Sequence, residues 1–328
     1  MSMIIKYTPL KEKIWRIIKA VPSSLTISDV ASKAGLPKYE VSRILSKERG
    51  LQNVRLGFEV DFRAAGILPT SAISMKRLHR VPYMRSMRVL HVMGRRLYLY
   101  TSLLPENDKV IEDWLANFED DVLVIRALER IWWSPNARAT TYMNSEVCGV
   151  LNSLEIEDVS PPIVRKKVVE LDEADIAILR AKLRWPFASL REAEKESEKY
   201  IGKRIPHQTL SRHFRKHVLK IWRGNRVWLY RDLSDTPYRI LYFEGRDAVK
   251  LARALVQLPW FHTAYLDVDK ALVSGQPPCS SILPLYRVVG ELDVEVLEMV
   301  MEPSMAKVVP VGDLLKKLVK VRVEVREG

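Results

Sequence analysis

Residues Lys199–Arg231, KYIGKRIPHQTLSRHFRKHVLKIWRGNRVWLYR, contain no Asp or Glu. The stretch holds Lys203, Arg204, Arg212, Arg215, Lys216, Lys220, Arg223, Arg226 and Arg231, with His207, His213 and His217 among them. A solvated face normally mixes both signs. An acid-free run of this length reads as a surface docked on phosphates. Gly202 and Pro206 punctuate it, and Pro206 suits the start of a helix over His207–His217 with Leu210, Phe214 and Val218 facing inward. Gly224-Asn225 reads as a hairpin turn between Leu219–Arg223 and Arg226–Tyr230. Helix, turn, helix and hairpin together predict a winged helix-turn-helix.

The side chains suit DNA. Gln208 can pair with an adenine edge and Arg212 with guanine, while Thr209 and Ser211 reach phosphate or base. Lys203, Arg204, His207, Arg215 and Lys216 supply the phosphate field, and Arg223 and Arg226 flank the tip of the wing. Trp222 and Trp228 lie in the hairpin arms. His213 and His217 stand four apart on one helix face, a spacing that raises a metal site. No acid lies near them in sequence and no further His or Cys falls at ligand spacing, so the reading is no metal and no cofactor.

The rest of the chain agrees with a polyanion partner. Its 328 residues carry a net charge of +13, which attracts nucleic acid first and anionic membrane second. Hydrophobic content of 47% excludes disorder as the default. Two lone cysteines, Cys148 and Cys279, exclude a disulfide scaffold and fit a reducing cytoplasm, with nucleoid association following from DNA binding. The N-terminus lacks a signal-peptide core, and no apolar run approaches the ~20 residues of a membrane span. Abundant Lys, Arg and Glu with scarce Gln fits a thermophile.

An approximate repeat organises the sequence. In the first half, Ile14, Trp15, Ile17, Ile18 and Val21 make one apolar helix face ending at Pro22. Ser28 is the expected N-cap of the next helix, Gly35 its left-handed end, and Pro37 the start of a third carrying Val41, Ile44 and Leu45. Lys38, Tyr39, Ser42 and Arg43 point outward there and form a second candidate DNA-reading surface. Asn53–Phe62 alternates as a strand, and strands follow near Ser71–Leu78 and on both sides of Gly94 within Val89–Leu103. Asn107–Phe118 is an amphipathic helix, and Val122–Trp133 a returning strand.

In the second half, Ile176, Ile178, Leu179 and Leu183 mark a first helix. Ser189 and Glu192 form a capping box for Leu190–Tyr200. Strand Arg239–Phe243, helix Asp247–Leu258 and strands Thr263–Asp267 and Lys270–Ser274 follow. Ser281–Val289 is the expected last helix, with strands over Val294–Met301, Lys307–Val311 and Leu318–Val325. The fold class is thus α+β: two winged helix-turn-helix domains, each followed by a ferredoxin-like βαββαβ domain. The boundaries are 1–62 and 63–150, a Pro-Pro-containing linker at 151–170, then 171–233 and 234–328.

No phosphate-binding glycine loop, H-E-x-x-H or nucleophile elbow occurs, so no enzyme is expected. Trp132-Trp133 reads as packing rather than as a base-stacking platform.

LDEADIAILRAKL (171–183), FASLREAEKE (187–196) and PHQTLSRHFRKHV (206–218) resemble the DNA-binding half of archaeal-like Lrp/AsnC, or feast/famine, regulators. The first half resembles the whole plan of that family. ISDVASKAGLPKYEVSRILS (27–46) matches its winged helix and RLGFEVDFRAAGI (55–67) its connecting strand. The segment at 89–133 matches the later part of its RAM-like regulatory domain. The resemblance implies a transcription regulator bound to double-stranded DNA, a homodimer formed through the α/β domains, and a small-molecule effector. Two such units in one chain depart from the family's single unit. The alternatives are an architectural DNA-binding protein, an RNA- or ribosome-associated factor, and a protein adaptor.

Overall fold

The computed structural model describes residues 3–46, 53–118, 122–157, 159–164 and 167–318. The fold is α+β with antiparallel sheets. After strand β1 (Ile4–Pro9) come helices α1 (Glu12–Ala20), α2 (Ile27–Ala34) and α3 (Lys38–Ser46). They bury Trp15, Ile17, Ile18, Val41 and Leu45, on the faces that the spacing assigned inward, together with Val30 and Ala31 of α2. The cap of α2 is Thr26, not Ser28. Thr26 Oγ1 accepts from the Asp29 N–H and the Asp29 carboxylate accepts from the Thr26 N–H, so the helix gains a two-way cap by starting earlier. Gly35 closes α2 at φ 61°.

Strand β2 (Val54–Val60) leaves this bundle, followed by β3 (Ile67–Ser74), β4 (Met84–Val92), β5 (Arg95–Pro105), α4 (Asp108–Leu115), β6 (Leu123–Arg126) and β7 (Glu129–Trp132). Asn107 caps α4 through the Val110 N–H. The hairpin β8 (Thr140–Met143) and β9 (Glu146–Val150) turns on Asn144 and Ser145, both left-handed at φ 51° and 61°. With β1 it forms a small sheet of order β1-β9-β8 that the sequence reading passed over.

The second half opens with α5 (Glu173–Arg184) and α6 (Leu190–Ile201), the latter carrying the expected Ser189–Glu192 box. Helix α7 (His207–His213) runs through a wider π-type turn (Phe214–Val218) into α8 (Leu219–Ile221). Strand β10 (Trp222–Leu229) follows without a hairpin. It pairs instead with β2, Trp222 opposite Val60 and Leu229 opposite Val54, so the two helical bundles share one ribbon. Gly224-Asn225 is a docking notch rather than a turn. A Cβ at Gly224 would lie 2.8 Å from the Pro22 carbonyl, and the Asn225 amide donates to the carbonyls of Val21 (3.3 Å) and Ser24 (2.5 Å).

The remaining elements are β11 (Arg239–Glu244), α9 (Ala248–Leu255), β12 (Phe261–Leu266), β13 (Lys270–Gly275), α10 (Cys279–Gly290) and β14 (Glu295–Val308). β14 replaces two expected strands with one long one, interrupted by a register shift between Glu302 and Ala306. Residues 311–318 form a helix that sets Leu314, Leu315 and Leu318 against α5 and α6. Leu318 therefore lies in a helix, and the rest of the expected last strand lies outside the described residues. None of the described helices is long and apolar enough to cross a membrane.

One sheet dominates, with nine strands ordered β6-β3-β5-β4-β14-β11-β13-β12-β7. The expected single strand over Val122–Trp133 is broken at Ala127-Leu128, and its two pieces occupy opposite edges. In a flat sheet those edges would lie about 38 Å apart. The link from Arg126 to Glu129 spans at most about 11 Å. The sheet therefore curls until its edges meet, and the Arg126 N–H donates to Asp267 Oδ2 at 2.8 Å across the seam. Ile73, Leu90, Leu97, Ile240, Leu272 and Met299 fill one end of the resulting cylinder.

Trp260 anchors the small sheet. A Cβ at Gly149 would lie 2.3 Å from its ring, which is fully buried. Gly149→Ala is expected to cost about 1–3 kcal/mol by overpacking. The urea midpoint should fall while the m-value holds. Gly290→Ala, which meets nothing within 4 Å, should leave the midpoint in place or raise it.

Candidate functional site

The structure separates the residues expected to read DNA. Lys38, Tyr39 and Arg43 are exposed on α3 and Ser42 is half-buried. Lys203 pairs with Glu173 at 2.5 Å and Arg204 with Glu194 at 2.7 Å. His207, Gln208, Arg212, Arg215 and Lys216 are exposed, while Thr209 and Ser211 are half-buried. Arg215 folds back to the Ser211 carbonyl at 3.4 Å. Arg223 lies over the Trp132 ring with Glu129 3.8 Å away. Arg226 is buried under the ribbon, bonded to Glu59 at 2.8 Å and stacked on Trp228 at 3.3 Å. The stretch that is acid-free in sequence is thus supplied with carboxylates in space by Glu59, Glu129, Glu173 and Glu194.

Arg226 belongs to a different site. The β2–β10 ribbon lies over the open end of the cylinder, and the two enclose a solvent-connected cavity of about 940 Å³. Strand alternation aims the side chains into it. Arg55 comes from β2, Arg226 and Trp228 from β10, with Tyr230 just beyond; Ser86 and Arg88 come from β4, and Thr263 and Tyr265 from β12. Gly57, opposite Arg226, leaves room for the Trp228 ring, which would meet a Cβ there at 3.0 Å.

Among the described residues, six arginines line the cavity, Arg55, Arg85, Arg88, Arg130, Arg226 and Arg231, with Asp232 the one lining carboxylate. Beneath them Glu59 bonds both Arg130 (2.7 Å) and Arg226 (2.8 Å) and is itself 3% exposed. One carboxylate under two buried guanidiniums leaves positive charge uncompensated. The Nε–H groups of Arg130 and Arg226 are buried without a hydrogen-bond partner among the described residues. Burial pushes Arg226 down to about 9 despite Glu59, so it stays charged at neutral pH but gains from an added anion. At Arg130 burial acts the same way, but Glu59 and Tyr265 outweigh it and the group is raised.

The neutral groups respond to this field. Burial alone would raise Tyr265, yet Arg130, Arg85 and Arg226 together pull its hydroxyl below the ordinary tyrosine value. His262, fully buried behind the cavity, is pushed down to about 3 by burial and is neutral. Its Nε2–H donates to the Leu229 carbonyl at 2.8 Å, which leaves Nδ1 to accept from Tyr238 at 3.3 Å. The site therefore offers guanidiniums in excess, an aromatic wall, an apolar floor and one acidified phenol. Such a set has the chemistry to hold an anion through its guanidiniums and to move a proton to it.

The comparisons bear on this site. No family model and no curated protein matches the chain. Among solved structures, the chain is similar to the siroheme decarboxylase NirDL, with 11% identity and a TM-score of 0.48 over 97% of this chain and 100% of that one. The same enzyme in co-complex with an iron-uroporphyrin III analogue gives 11% identity and a TM-score of 0.45 over 89% of this chain and 91% of that one. At this level neither likeness carries a residue role across.

These findings overturn four expectations. The resemblance to Lrp/AsnC regulators finds no support: no family model matches, and the matched solved structures are of a siroheme decarboxylase. The expected regulator function, absence of enzyme activity and double-stranded DNA partner are not carried further: the basic stretch on which they rested is met in space by Glu59, Glu129, Glu173 and Glu194, and the two matched structures are of an enzyme, one of them in co-complex with an iron-uroporphyrin III analogue. The wing expected to meet DNA is also missing, since Gly224-Asn225 sits inside β10. The missed residues left a legible signal. The alternation of the expected strand Asn53–Phe62 already puts Arg55, Gly57 and Glu59 on one face, and charged residues on the inner face of a strand mark a site rather than a core.

Two outcomes follow. Glu59→Gln leaves Arg130 and Arg226 buried without their shared counter-ion, and urea unfolding should show a loss of about 3–5 kcal/mol. In an ultraviolet titration of the 12 tyrosines, one should ionise ahead of the rest, and Tyr265→Phe should remove that early phase. An unchanged titration in the variant would show that the arginines do not acidify this hydroxyl.

Proposed function

We propose that the cavity binds a polycarboxylate tetrapyrrole and that the chain removes carboxyl groups from it as carbon dioxide. The observation that carries this reading is the set of six arginines around one cavity, two of them with unpartnered buried Nε–H groups, beside an aromatic wall. Guanidinium forks match carboxylates in a bidentate geometry, and several carboxylates spread around a rim need several forks. A planar macrocycle stacks on Trp228 and the tyrosines and covers the apolar floor. A phosphate-rich ligand would use the arginines but would leave that floor without a role. The printed ligand of one similar structure, an iron-uroporphyrin III analogue, is of the same chemical class.

Decarboxylation of an acetate side chain balances with no co-reactant except a proton. The bond between the methylene and the carboxyl carbon breaks, carbon dioxide leaves, and the methylene carbon takes a proton to become a methyl group. Tyr265 is suited to deliver that proton, because an acid whose pKa is drawn toward the working pH transfers more readily. The remaining arginines hold the other carboxylates, so that the reacting one lies against the apolar floor, where its charge is least stabilised.

We also read each half as a winged-helix bundle followed by a ferredoxin-like unit, with Pro161-Pro162 in the linker between them. The strand orders β6-β3-β5-β4 and β14-β11-β13-β12 support this. Both follow the ferredoxin-like order, in which the fourth strand lies beside the first and the third beside the second. In the first unit the 75–83 loop stands where the second unit has α9.

The test is titration of the full chain with iron-uroporphyrin III, followed by the shift of its Soret band. The wild-type chain should bind one equivalent, and Arg88→Ala should bind at least about tenfold more weakly, the loss of one charge-assisted pair. Mass spectrometry of incubated macrocycle should show successive losses of carbon dioxide. Tyr265→Phe should bind normally and turn over about 10²–10⁴-fold more slowly. Failure to bind the macrocycle, or a tightly bound macrocycle with no carbon dioxide lost, sinks the corresponding half of the proposal.

A further inference from the structure

Outside the cavity lining, the fold brings together four side chains from two stretches some forty positions apart in sequence. Asp172 is the N-cap of α5 and Asp175 its third residue, and the two form a capping box. Each carboxylate spends one oxygen on that box. Asp172 Oδ1 accepts from the Ala174 and Asp175 N–H groups, and Asp175 Oδ2 accepts from the Asp172 N–H. The other oxygens turn toward α7 and the π-type turn that follows it. There Asp172 Oδ2 lies 3.3 Å from His213 Nδ1, and Asp175 Oδ1 lies 3.4 Å from the same nitrogen. His217 Nδ1 lies 2.8 Å from Asp175 Oδ2. One donor atom from each residue can be chosen so that all lie within 4.8 Å of one another.

Two of these atoms are orphans. Asp175 Oδ1 and His213 Nδ1 are buried, lie 3.4 Å apart without forming a hydrogen bond, and have no hydrogen-bond partner among the described residues. The Asp175 side chain is 0% exposed, so its unpartnered oxygen is a real cost to the fold unless something fills the gap. The backbone adds a second sign. His213 ends α7 and His217 lies within the π-type turn, a rare bulge that recurs at functional sites. It sets the two imidazoles edge to face at 4.9 Å, both aimed at the carboxylates.

We infer that Asp172, Asp175, His213 and His217 form a binding site for a divalent transition-metal ion of the zinc type. Two imidazoles and two carboxylate oxygens are a zinc-like donor set; calcium and magnesium prefer oxygen alone. A tetrahedral site with bonds of about 2.0–2.1 Å has donors about 3.3 Å apart; the donors here lie within 4.8 Å of one another and draw together around an ion. Two carboxylates and two neutral imidazoles carry the charge that a dication cancels. Asp172, with its side chain 51% exposed, gives the ion its way in. The ion fastens the start of α5 to the end of α7 and so locks the second helical bundle. This inference owes nothing to the tetrapyrrole reading, and its readout is independent of that ligand.

The experiment uses the full chain stripped with a chelator and titrated with Co²⁺ alone. The expected result is the intense visible absorption of tetrahedral cobalt, saturating at one equivalent and abolished by added Zn²⁺. Zn²⁺ should also raise Tm, because a ligand of the folded state stabilises it. His213→Ala and His217→Ala should each weaken binding at least about tenfold. Asp172→Asn provides a variant that keeps the helix cap, since Asn is as good an N-cap as Asp. It should fold normally and still bind the metal more weakly. The absence of tetrahedral absorption in the wild-type chain overturns the inference. So does absorption that persists unchanged in the folded Asp172→Asn chain and in either histidine variant.

Discussion

The short passage through Ala127-Leu128 governs the architecture. Two residues cannot separate the edges of an extended nine-stranded sheet, so the sheet must close, and closure creates an inside. Along each strand the inner side chains are then fixed by alternation. Apolar residues fill one end of the cylinder, while Arg88, Arg130, Thr263 and Tyr265 face the other. The ribbon made by β2 and β10 covers that open end and adds arginines of its own. Cavity, charge and cover all derive from one covalent constraint.

Glu59 makes this arrangement tolerable without making it neutral. It sits below two guanidiniums and bonds both, which allows Arg130 and Arg226 to be buried at all. It cannot satisfy both fully. The unpartnered Nε–H groups and the depressed Arg226 are the residue of that shortfall. A protein that holds cations in deficit of anions has stored part of the binding energy for an anionic ligand in its own fold.

Much of the local structure was legible in the sequence, because local structure has local causes. The helices announced themselves by apolar spacing, and the Ser189–Glu192 box and the glycines at 35 and 202 ended or began them as their chemistry requires. The hairpin around Gly94 and the helix capped by Asn107 were equally plain. What could not be read was pairing at long range. Gly224-Asn225 has the composition of a turn, but its partner is the Val21–Ser24 segment two hundred residues away, and only that packing shows why glycine and asparagine stand there. The acid-free stretch misled for the same reason. Its neutralising carboxylates come from Glu59, Glu129, Glu173 and Glu194, none of them inside it. His213 and His217 looked bereft of acidic neighbours until α5 was laid beside them.

The pairing of β2 with β10 also has a kinetic meaning. These strands are separated by about half of the chain, and β4 and β14 by still more. Contacts of such high order form late and slowly, because a long loop must close before any of them is rewarded. The helical bundles can assemble early from local contacts, but the arginine chamber exists only once both long-range pairings are made. Capture of a ligand there is therefore coupled to the completion of folding, and a half-folded chain, still strongly basic, has its guanidiniums dispersed rather than convergent.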